Sequence, residues 1–118
     1  MNIKQIALAL AMLIGGAVAV QAANQDFRLV NNTGLSFTHL YLAPSRTKNW
    51  SGDILGMSKV GNGSSTMIRF KAGSRYCVYD VMVRDAAQRP FIVPNINLCK
   101  IHALTFRSRK GQVFISTN

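Results

Sequence analysis

Hydrophobic and polar positions alternate along most of the chain after residue 25, with the period of two that is typical of β-strands. In 64–71, Ile68 and Phe70 fall on one face while Arg69 and Lys71 fall on the other. The segments with this pattern are 26–31, 35–42, 64–71, 75–84, 91–99, 101–107 and 112–116. The spacing of these segments predicts an all-β fold, an antiparallel β-sandwich of about seven short strands with an Ig-like or C2-like arrangement.

One stretch, 44–55, shows neither alternation nor a helical period, and we expect at most a helical turn there. Turn residues separate the other segments at 61–63, 86–89 and 108–111. The midpoint between Cys77 and Cys99 is residue 88, so a hairpin centred on the 86–89 turn brings the two cysteines opposite each other. In such a hairpin the alternation of the second strand puts its hydrophobic residues on the face opposite to that of Cys99. A bulge removes this conflict, and Pro94 marks the expected position of the bulge. Pro90 and Pro94 also predict an edge strand.

The first 22 residues have the layout of a secretory signal peptide. Lys4 is followed by an apolar run over 6–14, and Val20-Gln21-Ala22 offers a cleavage site after Ala22. The alternative is a membrane anchor, but the run from 6 to 20 is shorter than the roughly 20 residues that a spanning helix needs. We therefore expect a signal peptide at 1–22, a single domain at 23–118, a bacterial periplasmic or secreted location, and no transmembrane segment after cleavage.

The two cysteines, Cys77 and Cys99, both lie in the part expected to be exported, where thiols oxidise. A disulfide between them closes a loop of about 23 residues and stabilises the domain by about 3 kcal/mol. The alternative is a metal site in which Cys77 and His39 join Cys99-x-x-His102. A single C-x-x-H is weak support for a metal, so the sequence favours the disulfide, with no metal ion and no cofactor.

The composition restricts the chemistry. The chain has 118 residues with 14 Lys+Arg against 4 Asp+Glu, and none of the four acids is glutamate. This nearly excludes enzymes that use a carboxylate pair, and carboxylate-rich calcium or two-metal sites.

Catalytic motifs are few. Ser45-Arg46-Thr47-Lys48 matches S-x-x-K but lacks the large helical domain and the K-T-G partner of enzymes with that pair, so we interpret it as chance. A triad of His39 or His102 with Asp80 requires a geometry that spacing does not reveal. The sequence predicts a protein that is not an enzyme, with a small hydrolase as a lesser alternative.

Positive charge is the remaining functional signal. The formal net charge is +10, and without Lys4 it is +9, carried mainly by the predicted turns. Such a surface attracts anions: an acidic protein, an anionic envelope polymer or, with less support, nucleic acid. Trp50 and Phe91 are the candidate exposed aromatic residues, and Trp50 is either an interface anchor or a plug for one end of the sandwich. The candidate binding residues are Arg46, Lys48, Trp50, Arg84, Arg89, Arg107, Arg109 and Lys110.

The order of several short motifs resembles a largely uncharacterised family of small exported bacterial single-domain proteins. The motifs are LVNxTG at 29–34, LYxxPS at 40–45, Trp50, DxLG at 53–56, CxYD at 77–80 and NLC at 97–99. The resemblance implies a secreted single domain and no particular activity. It also implies structural roles for Asp53, as a cap of the turn after Trp50, and for Asp80, as the partner of a buried arginine. The family often has acidic loops, whereas this chain has basic ones.

Two functional hypotheses follow, besides the hydrolase. The first is a non-enzymatic exported binding protein whose basic loops engage an anionic or acidic partner, such as a periplasmic immunity protein or an enzyme inhibitor. The second is a structural or accessory component of the cell envelope. The sequence does not indicate an oligomeric state.

Overall fold

The computed structural model describes residues 25–70 and 74–118, and these form seven strands in two sheets with no helix among them. The strands are β1 (Phe27–Asn32), β2 (Phe37–Pro44), β3 (Ser64–Ile68), β4 (Val78–Asp85), β5 (Pro90–Asn97), β6 (Ala103–Arg109) and β7 (Gln112–Thr117). The predicted all-β sandwich of seven strands is therefore confirmed. The predicted signal peptide at 1–22 lies outside the described residues. Those residues include no helix long and apolar enough to cross a membrane.

The sheets have the strand orders β3-β1-β6-β7 and β2-β4-β5. All pairs are antiparallel except β1 and β6, which run parallel from Arg28↔Ala103 to Asn32↔Arg107. This pair differs from the expected antiparallel arrangement. Parallel neighbours need a long connection between them, and the connection from β1 to β6 includes the whole of the second sheet. Alternation of side chains reveals a strand and its buried face but not the direction of its neighbour.

The core lies between the two sheets, where inward-facing residues from both interdigitate. Phe37 of one sheet meets Phe106 of the other edge to face, with ring centroids 5.2 Å apart. The fully buried large hydrophobic side chains are Phe27, Leu29, Phe37, Leu40, Val60, Val81, Val83, Leu98, Leu104 and Phe106.

A disulfide joins Cys77 to Cys99 with their Cα atoms 5.2 Å apart, so the predicted bridge is confirmed and both thiols are excluded as metal ligands. It closes the open end of the β4–β5 hairpin. The register of this hairpin shifts between Tyr79 and Val81 of β4, opposite Asn95, whose φ is 59°. This is the bulge predicted beside Pro94. β5 is also an edge strand, as its prolines predict.

The register defines two ends of the sandwich. At one, which we call the hairpin end, lie the β4–β5 turn at 86–89 and the β6–β7 turn at 110–111. At the other, which we call the disulfide end, lie Cys77–Cys99 and the loop at 45–50 that follows β2.

Candidate functional site

Asp80 holds the loop at 45–50 in place. Its carboxylate accepts hydrogen bonds from the Ser45 hydroxyl at 2.6 Å, the Lys48 ammonium at 2.7 Å and the Asn95 amide at 3.0 Å. The Lys48 and Ser45 hydrogen bonds outweigh burial and lower the pKa of Asp80 from 3.8 to about 2. The prediction that Asp80 pairs with a buried arginine is wrong. The cation that pairs with Asp80 is Lys48, whose side chain is 64% exposed.

Asp85 holds the β4–β5 turn in place at the hairpin end. Its carboxylate accepts from the amides of Ala87 and Arg89, and the Arg89 guanidinium contacts it at 2.7 Å. Burial acts to raise the pKa of Asp85, but the backbone and side-chain hydrogen bonds from Arg89 outweigh it, so the pKa is lowered. Lys48 and Arg89, two of the predicted binding residues, thus neutralise buried carboxylates, which leaves them less charge for a partner.

Asp53 is a turn cap. One carboxylate oxygen accepts from the amides of Leu55 and Leu40, both at 3.0 Å, and so fixes the 51–55 segment against the edge of β2. Trp50 precedes this segment; the residue is 40% exposed and is not part of the core cluster. This exposure argues against a plug at the end of the sandwich and leaves the interface anchor as a prediction.

Of the candidate catalytic groups, Ser45 and Lys48 come together on the Asp80 carboxylate, where both are donors, but neither histidine forms a hydrogen bond or ion pair with Asp80. His39 lies 3.9 Å from Asp53 and contacts the Thr38 hydroxyl, whereas Asp80 binds the 45–50 loop instead. Within residues 25–70 and 74–118, no three His, Cys, Asp or Glu side chains gather as a metal site would require.

A positively charged surface with no acidic neighbour lies on the outer face and at the turn of the β6–β7 hairpin. Arg107, Arg109 and Lys110 are exposed there, and they form no ion pair with any described residue. Neither strand contains an acid, because the four aspartates are Asp26, Asp53, Asp80 and Asp85. Phe114 is 41% exposed on the same face. We call Arg107, Arg109, Lys110 and Phe114 the basic face.

Two contacts orient the arginines of the basic face. The Arg109 guanidinium lies over the ring of Phe114, 5.7 Å from its centroid. Arg107 donates from Nε to the Ser116 hydroxyl at 3.4 Å. In the register, Arg109 is opposite Gln112 and Arg107 is opposite Phe114. Each arginine therefore reaches diagonally from β6 to a residue of β7 that is not directly opposite it.

The remaining predicted residues are scattered. Arg84 lies half-buried on the outer face of the other sheet, where its guanidinium is 5.8 Å from the Tyr41 ring centroid. Arg46 lies at the disulfide end, where it lines an open cavity with Arg75 and Tyr76. Arg89 lines a shallow cavity at the hairpin end with Gly111 and Ser108. Of the eight candidates, the structure therefore gathers three, Arg107, Arg109 and Lys110, on one unneutralised surface.

Phe114 was not among the aromatic residues predicted from the sequence, which were Trp50 and Phe91. Phe91 packs against the core, whereas Phe114 faces outward between Gln112 and Ser116. The sequence alone could have revealed that Phe114 is exposed. In the alternating segment 112–116, Phe114 shares its face with the polar residues Gln112 and Ser116. Val113 and Ile115 take the core-facing positions.

Comparison with known proteins supports the fold. The NMR structure of a protein from Eubacterium rectale is similar to this chain, with a TM-score of 0.53 and 14% sequence identity, over 78% of this chain and 85% of that chain. At this identity the likeness shows the fold alone. No family model matches the sequence, and no curated protein matches it.

Proposed function

We propose that this is a non-enzymatic exported protein that binds an anionic or acidic partner through the basic face. The observation that carries the proposal is the exposed group Arg107, Arg109 and Lys110, without an ion pair among the described residues and beside an exposed aromatic ring. Unneutralised cations on a hairpin attract an anion without first breaking an internal ion pair. An aromatic ring beside them adds contact area that a purely solubilising surface does not need.

Export is part of the proposal. The Cys77–Cys99 disulfide is of the kind found in oxidising compartments, and a signal peptide at 1–22 agrees with it. A periplasmic or secreted location exposes the basic face to acidic proteins and to anionic envelope polymers. An immunity protein or an enzyme inhibitor is one form that such a binding protein takes.

Charge reversal tests the proposal. The exported protein, its Arg107→Glu/Arg109→Glu variant and a Lys59→Glu/Lys100→Glu control are passed over immobilised polyglutamate, polyphosphate and a bacterial envelope extract at low and high salt. The control makes the same change in net charge at two exposed lysines outside the basic face. Far-UV circular dichroism and the melting temperature verify that each variant is folded.

We expect the wild type to bind an acidic probe at low salt and to release it as salt rises, because exposed charges are screened. The basic-face variant loses at least about tenfold in affinity, while the control keeps most of it. Equal losses in the two variants, or association with the envelope fraction that salt does not change, contradict the proposal.

A further inference from the structure

The free edge of β7 differs from the other three sheet edges, because β5 and β2 carry features that block further pairing and β3 is the shortest strand. β5 has Pro90, Pro94 and a bulge. β2 is covered by the 51–60 segment, as in the hydrogen bonds from the Ser51 amide to the Leu42 carbonyl and from the Ile54 amide to the Leu40 carbonyl. β3 is short, at five residues. β7 has six residues and no proline, and no described segment covers it.

The register shows which backbone groups of β7 point to this edge. Ala103 of β6 and Asn118 exchange both of their backbone hydrogen bonds, at 3.1 Å each. In an antiparallel pair every second residue pair does so, which assigns Gln112, Phe114 and Ser116 to the bonds with β6. The N–H and C=O groups of Val113, Ile115 and Thr117 therefore point away from β6, toward the free edge.

The side chains around this edge define what a new strand would meet. On the outer face, Arg109 and Arg107 of β6 reach over to Phe114 and Ser116 of β7. Their guanidinium groups therefore lie above β7, the strand that borders the edge. On the inner face, Val113 and Ile115 are half-buried and pack against the core. A strand added here would place alternate side chains beside two cations and beside an apolar margin.

We propose that β7 binds an extended acidic segment of a partner protein by strand addition. In that segment, Asp or Glu alternates with apolar residues, the acids facing Arg107 and Arg109 and the apolar residues facing Val113 and Ile115. Backbone hydrogen bonds to Val113, Ile115 and Thr117 supply affinity, and the two alternating faces supply specificity. This inference rests on the proposed function and names the class of partner.

A second copy of this chain is a poorer occupant of the same edge. Pairing β7 with β7 of a second copy brings Arg107 and Arg109 of both copies to one continuous outer face. Like charges opposed across a sheet are destabilising, and no acid on β6 or β7 offsets them. An acidic segment has the complementary charge.

The test uses a short peptide in which Glu alternates with Val, capped at both ends. Three other probes accompany it: the same peptide N-methylated at every second amide, a peptide of the same composition with the Glu residues grouped together, and polyphosphate. N-methylation removes the donors that a strand offers to β7 but leaves the charge unchanged. Affinity is measured by titration calorimetry, and amide hydrogen exchange is followed by NMR.

We expect the alternating peptide to bind and to slow amide exchange at Val113, Ile115 and Thr117. The peptide whose N-methyl groups replace the donors to β7 binds at least about tenfold more weakly than the unmethylated peptide. The Arg107→Gln/Arg109→Gln variant binds the unmethylated peptide at least about tenfold more weakly than the wild type does. Lys59→Gln/Lys100→Gln serves as the matched control and retains the affinity. These variants keep β7 itself unchanged.

The outcomes separate the two proposals. If the methylated and grouped peptides and polyphosphate bind as tightly as the alternating peptide, strand addition is wrong and a purely electrostatic basic face remains. If the alternating peptide binds without protecting the three edge amides, strand addition is also wrong. If no acidic probe binds the folded protein, both the inference and the proposed function fail.

Discussion

Two buried aspartates hold loops in place at opposite ends of the sandwich, and their partners include two of the cations predicted from the sequence as binding residues. Asp80 fixes the 45–50 loop and the bulge at Asn95, and Asp85 fixes the β4–β5 turn. Asp80 forms an ion pair with Lys48, and Asp85 forms one with Arg89. Sequence spacing shows that a cation is near a turn, but not whether a buried carboxylate already neutralises it. This is why the sequence named eight candidates and the structure leaves fewer.

Asp80→Asn is expected to destabilise the fold. The amide is neutral and offers one acceptor oxygen, so the buried site loses hydrogen bonds to Ser45, Lys48 or the Asn95 amide, at a cost of about 1–3 kcal/mol. Urea unfolding measures the change. Lys48→Gln, which alters the exposed partner and keeps the carboxylate, should cost less. Equal stability of Asp80→Asn and wild type would show that the network does not stabilise the fold.

The stability of the fold should depend on pH because of the Asp80 carboxylate. The pKa of Asp80 is about 2 in the folded protein, below its ordinary value of 3.8, so the folded state binds the proton less readily than the unfolded chain does. The stabilisation is complete above about pH 4 and is lost as the pH falls toward 2. The unfolding midpoint measured between these values should fall more steeply for the wild type than for Asp80→Asn. Parallel profiles would contradict the lowered pKa.

At the scale of the elements, the β4–β5 hairpin was predictable in most of its features and the β1–β6 pair was not. The midpoint of the cysteines, the prolines and the failure of alternation located the turn, the edge and the bulge. These features are local, because each depends on residues of one hairpin. The parallel pairing of β1 with β6 depends on strands far apart in sequence, and alternation carries no information about it.

The disulfide stabilises this hairpin at its open end. Its loop has a sequence separation of 22 residues, for which the chain-entropy estimate is about 3 kcal/mol. Cys77→Ser/Cys99→Ser is expected to lower the free energy of unfolding by roughly that amount, and reduction of the wild type should do the same. Mass spectrometry of the exported protein should find no free thiol. Free thiols in the folded, exported protein would contradict both the bridge and the argument for the compartment.

The β6–β7 turn depends on two residues with positive φ. Lys110 has φ 50° and Gly111 has φ 82°, which matches the type I′ turns of two-residue hairpins. Gly111→Ala has room for its methyl group but keeps a left-handed backbone, so it should cost about 1–2 kcal/mol. Gly52→Ala is the control, because Gly52 has open space and no positive φ. A melting temperature that falls equally in both variants would contradict this account of the turn.

On the scale of the whole molecule, the distribution of acidic residues distinguishes the β6–β7 hairpin from the rest of the described structure. Each of the four aspartates contacts a cation or a histidine within 4 Å, and none of them lies on β6 or β7. The positive charge of the basic face is therefore left for a partner. The sequence predicted the sign of that charge and assigned it to several turns, of which the β6–β7 turn is one. The exposed ring of Phe114 and the diagonal reach of the two arginines required the strand register.

The most direct test is an NMR titration of the isotope-labelled exported protein with polyglutamate at low salt, followed by addition of salt. We predict that amide shifts concentrate on the basic face, at Arg107, Arg109, Lys110 and Phe114, and that they reverse as salt screens the charges. Shifts centred on the 45–50 loop at the disulfide end, or no shifts in a folded protein, would contradict the proposal that this protein binds an acidic partner through the β6–β7 hairpin.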